Sequence, residues 1–298
     1  MRKKFSILFS LILIISSIIS CNNENKDNSE LTDENSYNID SLKKVKENVV
    51  KVFYSLPSPM EMASIFTKSG VVYNSEILNP TKNIPNYVTN KSLALNLGVY
   101  GADLSFSSMF NQQQKTLEYF TALKTIATKL DIIETVSDSL IDVIENNIND
   151  NEKMMKIVSE TFFSSDAFLK ESNREEIATL VVIGAWVESL YIAIQLSETA
   201  TSDKDKLITR IIDQRLSLET LIELTKTYIT NNDIATLLID LEKLKLTFES
   251  LVIVEKKEVY DEYADIMRVK TTTTINATPE LVAQLKSTVS SIRTSYIK

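Results

Sequence analysis

Two carboxylates stand alone in otherwise apolar surroundings. Between Lys91 and Lys115 the sole charged residue is Asp103, and between Ile177 and Leu196 it is Glu188. A lone ionised carboxylate removed from water is costly, so each requires a partner, a shifted pKa or a water-filled cavity. Three readings are open. The carboxylates are satisfied structural groups, hydrogen-bonded to tyrosine and backbone or paired with Arg215, which shares a helical face with Ile208, Ile212 and Ile222. Alternatively, they line a polar pocket for a small ligand between helices. In the third reading they act as acid and base on a substrate such as a glycan, which demands a fixed carboxylate separation and an open cleft. Asn96, Tyr100, Asp103 and Ser107 recur at helical spacing, so the candidate pocket or buried polar network comprises Asn96, Tyr100, Asp103, Glu188 and Arg215.

Other chemistries are excluded by composition. With no histidine in the chain there is no His-based triad, no HExxH zinc site and no histidine-ligated haem. A single cysteine rules out zinc and iron–sulfur sites built from four thiolates, and four glycines leave no P-loop and no GxGxxG. Asp203-Lys204-Asp205 and Asp261-Glu262 lack the spacing of a calcium loop. No metal, no cofactor and no catalytic residue is therefore expected.

That one cysteine has its own context. Met1-Arg2-Lys3-Lys4 forms a positive n-region, and residues 5–20 are an uncharged run rich in Ile, Leu and Phe, the layout of a signal peptide. A spanning helix needs about 20 apolar residues, and this run is shorter and broken by serines. It closes on Ile18-Ile19-Ser20-Cys21, which resembles the lipobox of bacterial lipoproteins. That resemblance implies lipidation of the Cys21 thiol, palmitate labelling, and cleavage that leaves Cys21 first.

Residues 21–38 carry Glu24, Asp27, Glu30, Asp33 and Glu34 against Lys26 alone, and read as an acidic disordered tether. In Bacteroidota lipoproteins, acidic residues just after the lipidated cysteine resemble a surface-export signal; a plain solvated spacer is the alternative. Without Arg2, Lys3 and Lys4 the chain has 29 basic against 40 acidic side chains. Such acidity argues against a nucleic-acid partner and against a polybasic grip on lipid, leaving membrane residence to the lipid itself.

From residue 39 to 298 apolar residues recur at three- and four-residue spacing, so one helical domain is expected: all-α, a multi-helix antiparallel bundle of long helices with no β-sheet. The pattern predicts helices near 39–55, 58–69, 89–130 with a break around Asn111, 132–148, 151–171, 173–199, 203–230, 232–269 and 278–297. Ser58-Pro59-Met60-Glu61 and Thr278-Pro279-Glu280 mark helix starts. The segment from Ile177 to Leu196 is apolar enough to span a membrane, but its central Glu188 favours a buried core helix. Gly98, Gly101, Ala102 and Ser105 offer small side chains against which a neighbour can pack closely. Four of the five prolines fall between Phe53 and Gly101, making this the irregular stretch, either a plain connection or a binding loop.

Phe53-Tyr54-Ser55-Leu56-Pro57-Ser58-Pro59 and Leu97-Gly98-Val99-Tyr100-Gly101-Ala102-Asp103 are similar to segments of a group of helical Bacteroidota lipoproteins, a resemblance that carries no activity. The functional expectation is an envelope lipoprotein of the outer membrane, periplasm-facing or surface-exposed. Its helical body binds an unknown protein or small molecule without catalysis. A hydrolase or lyase using Asp103 and Glu188 is the alternative.

Overall fold

The computed structural model describes residues 65–133, 138–147, 150–261 and 266–298. The expected signal peptide, lipobox, tether and Ser58-Pro59 helix start lie outside them. The described residues begin with the helical segment 65–68 and continue as a bundle of the helices α1 (Asn90–Met109), α2 (Gln113–Lys129), α3 (Asp138–Asn147), α4 (Asn151–Glu171), α5 (Glu175–Thr199), α6 (Lys204–Asp213), α7 (Arg215–Thr227), α8 (Asn232–Ser250) and α9 (Pro279–Tyr296). A loop over 71–89, with short 3-10 helices at Ser75–Ile77 and Thr81–Asn86, precedes α1.

Helix starts follow from side-chain capping. Thr89 and Ser92 form a reciprocal capping box at α1, Asp150 accepts from the Lys153 N–H at α4, and Thr278 accepts from the Leu281 N–H ahead of Pro279 at α9. Helix ends have a common solution. Asn111, Asp131 and Asn173 follow α1, α2 and α4 with φ of 55°, 59° and 54°. Each sits in a double backbone bond of Schellman type: Asn111 N–H donates to Ser108 O and Gln112 N–H to Ser107 O, and the same pattern recurs at 131–132 and 173–174. Short polar Asn and Asp tolerate the left-handed region, so a chain with four glycines still makes its tight turns.

The core is the crossing of α1 and α5, which are buried on nearly every side. Two glycines allow their backbones to touch: a Cβ at Gly98 would lie 2.1 Å from Val181 O, and one at Gly184 would lie 2.0 Å from Leu95 O. Around this crossing α2 and α4 pack on α1, while α9 bridges α5 and α8, and α7 pairs with α8. Among the described residues α5 alone is long and apolar enough to cross a membrane, but 78% of its apolar window is buried inside the protein, as expected of a core helix.

Two departures from the sequence pattern occur. The segment predicted as one helix over 203–230 breaks at Gln214 into α6 and α7. The segment predicted as a helix over 232–269 ends at Ser250, and the expectation of no β-sheet is corrected by a hairpin, β1 (Val252–Asp261) with β2 (Ile266–Ile275), antiparallel from Val252 opposite Ile275 to Asp261 opposite Ile266. The local reason is composition: Val252-Ile253-Val254 and Thr271-Thr272-Thr273-Thr274-Ile275 are β-branched runs, stiff at χ1 and suited to a pleated surface. Asn276 N–H donates to Leu251 O and closes the base of the hairpin.

Candidate functional site

The polar face predicted on α1 is buried at the centre of the molecule. Asn96, Tyr100 and Asp103 expose no surface, and neither does Glu188, which α5 carries to the same place. The loop over 71–89 lies across this face and adds two further fully buried side chains, Asn79 and Tyr87. α9 supplies the cation.

Glu188 is held by Arg293 in a two-pronged ion pair: Nε donates to Oε2 and Nη2 to Oε1, both at 2.8 Å. Nη2 of Arg293 also donates to Ile77 O at 3.1 Å, and its guanidinium lies 4.4 Å from the centre of the Tyr191 ring. Burial works against the charge of Arg293, but the bonds to Glu188 outweigh it and the guanidinium is held more firmly protonated than usual.

Arg215 does not take this part. Its Nη1 sits 3.5 Å from Asp213 Oδ1 at the partly exposed start of α7. The chain breaks at Gln214, so Arg215 opens α7 within reach of Asp213 instead of sitting inside one long helix with Ile208, Ile212 and Ile222. Sequence reasoning missed Arg293, although a signal was present. Leu285, Val289, Ile292 and Tyr296 form the apolar stripe of α9, and Arg293 falls inside it.

Asp103 completes the site. Its Oδ2 accepts the Asn79 N–H at 3.1 Å, whereas Oδ1 meets no donor among the described residues. The group facing it is the Glu188 carboxylate, itself an acceptor. The two oxygens make a hydrogen bond only if one carries a proton. Burial first, and the charge of Glu188 second, push the Asp103 carboxyl well above the usual carboxylate range; burial also raises Glu188, with Arg293 pulling it back. The consistent assignment is a proton held between the two carboxyl groups on the Asp103 side, with Arg293 neutralising Glu188.

The surrounding polar atoms are bonded in turn. Asn79 Nδ2 donates to Tyr87 OH and to Asn96 Oδ1, and Asn96 Nδ2 donates to Tyr296 O at 2.8 Å. Tyr87 OH donates to Ile297 O and Tyr100 OH to Pro80 O. Burial holds the Tyr87 and Tyr100 hydroxyls protonated. The structure thus brings together Asn96, Tyr100, Asp103 and Glu188 and leaves Arg215 outside. The network ties the loop, α1, α5 and α9 into one unit with every carboxyl oxygen sealed from solvent.

No family model matches the chain, and no solved structure does. It is similar to the bifunctional chorismate mutase/prephenate dehydratase of Buchnera aphidicola subsp. Acyrthosiphon pisum, 25% identical over 189 residues, covering 59% of this chain and 47% of that protein. The chain spans about half the length of this curated relative.

Proposed function

We propose that the chain is a lipid-anchored protein of the bacterial outer membrane, attached through Cys21, whose helical body is a binding or interaction module that catalyses no reaction of its own. The observation that carries the anchor is Ile18-Ile19-Ser20-Cys21 after a positive and then apolar leader, with the chain's single thiol at the cleavage point. The burial of Asp103 and Glu188 supports the rest. An acid and base must meet a substrate, and two carboxyl groups with no exposed surface, Glu188 paired with Arg293 and Asp103 accepting the Asn79 N–H, fit a structural role better than hydrolase or lyase chemistry.

Labelling of cells with palmitate tests the anchor. The wild-type protein is expected to take up label and to fractionate with membranes, and Cys21→Ser to lose the label and become soluble. Label persisting in the variant would overturn the assignment. Protease shaving of intact cells decides the side of the membrane: cleavage of the helical body places it outside, and protection places it in the periplasm.

A further inference from the structure

The hairpin runs for ten residue pairs, from Val252 opposite Ile275 to Asp261 opposite Ile266, without a bulge. At about 3.3 Å per residue each strand extends roughly 30 Å. It leaves the bundle at the end of α8, which packs against the start of β1. Among the described residues the sheet has two strands only, so each strand has one open edge. A two-stranded ribbon is marginally stable by itself in water and gains independent stability from further strands or a cover. Lys257 stands opposite Lys270, a like-charge pairing that weakens this one further.

The two edges differ. β1 carries Glu255, Lys256, Lys257, Glu258 and Asp261, charges spread along its length. β2 has no acidic residue, no proline and no glycine, and from Thr271 to Ile275 it has no charge at all. That half of the edge lacks the devices that ordinarily prevent strand addition. It is also accessible: Thr271, Thr272 and Thr274 are exposed, and Val269 just before them is 61% exposed.

The partner that fits this edge is a second copy. With 40 acidic side chains against 32 basic ones the chain as a whole repels another of its kind, but β2, free of acids, takes no part in that repulsion. Two β2 strands meeting antiparallel about a two-fold axis place one residue opposite itself. Centring on Lys270 would set ammonium against ammonium. Centring on Thr271 sets Lys270 opposite Thr272, Arg268 opposite Thr274 and Met267 opposite Ile275, so no charge meets a like charge and nearly the whole strand is paired. We infer that the chain forms a dimer through β2, paired with β2 of a second copy about Thr271, the two hairpins making one continuous sheet. Such a contact uses the same edge of both copies and closes at two. This inference names the partner of the interaction module proposed above and rests on that reading.

The test uses the full-length chain carrying Cys21→Ser, free of attached lipid and of any other thiol. Adding Thr271→Cys is expected to give a covalent dimer on mild oxidation, because residues opposite each other in an antiparallel pair have Cα atoms about 4.5–5.5 Å apart, within disulfide reach. Ile253→Cys, exposed on β1 of the same hairpin, is expected to give little. Sedimentation of two charge variants then reads the register. Thr272→Lys sets an ammonium opposite Lys270 of the second copy, twice per dimer, and is expected to raise Kd several-fold, while Thr272→Glu lowers it by a similar factor. Within one chain residue 272 stands opposite Glu255, so the same substitutions act on the hairpin itself in the reverse sense, and damage to the hairpin alone would give the opposite order. A monomer at every concentration, equal cross-linking at 253 and 271, species larger than a dimer, or the opposite order of the two Kd values would each overturn the inference. None of these outcomes alters palmitate labelling at Cys21, so the anchor stands or falls separately.

Discussion

One proton is assigned to the buried Asp103 and Glu188 pair, and stability should record it. In the unfolded chain Asp103 ionises near its ordinary value of 3.8, whereas in the folded protein burial and the neighbouring Glu188 charge raise it well above that. Over the window between those two values the folded state binds one proton more than the unfolded state. Stability is therefore full below the window and declines as pH rises through it, by up to about 1.4 kcal/mol per pH unit. Asp103→Asn supplies a permanent N–H donor to Glu188 and cannot ionise. Its Tm is expected to stand closest to the wild type near pH 3 and to gain on it steadily from pH 4 to pH 8; parallel pH profiles would rule out the shared proton. Glu188→Gln leaves Arg293 buried without a counter-charge and is expected to destabilise by roughly 3–5 kcal/mol at every pH, measured by denaturant unfolding. Both carboxylates were legible as candidates because each is the sole charge in its apolar stretch, between Lys91 and Lys115 and between Ile177 and Leu196. Their partner was not, because one arginine in an apolar stripe is visible only when the helix it sits on is known to face them.

Among the elements, the crossing of α1 and α5 is the least tolerant of added volume. A methyl at Gly98 or Gly184 would press on backbone carbonyls of the opposite helix, which have no rotamer with which to yield. Gly98→Ala and Gly184→Ala are each expected to lower stability by roughly 1–3 kcal/mol despite the better helix propensity of alanine, as read from chemical denaturation midpoints. Most helix limits were readable from the sequence because caps and apolar spacing agree: α4 spans Asn151–Glu171, and the break at Asn111 lies where a left-handed residue ends α1. The hairpin was not, because Val252-Ile253-Val254 continues the apolar pattern of α8 and only its β-branched composition distinguishes it. The break at Gln214 falls within a continuous amphipathic pattern, which spacing alone does not register.

At the scale of the whole molecule, the two ends of the described chain hold each other in place. The loop over 71–89 bonds to α9 through Arg293 to Ile77 O, and Tyr87 bonds to Ile297 O, across sequence separations of 216 and 210 residues. Asn96 and Tyr296 O are 200 residues apart. A chain ending at Ile292 loses every one of these bonds together with the counter-charge of Glu188. It is expected to unfold without cooperativity and to be digested rapidly under limited proteolysis, whereas the full chain resists. Arg293 and the residues after it thus close the centre, and until they are in place the carboxyl pair has no cation and the Asn96 amide lacks its bond to Tyr296 O. For a chain exported as proposed above, this order of assembly acts as a built-in delay: the centre cannot close until Arg293 has been made, and up to that point the polypeptide lacks the bonds that would lock it before it is threaded through a secretion channel.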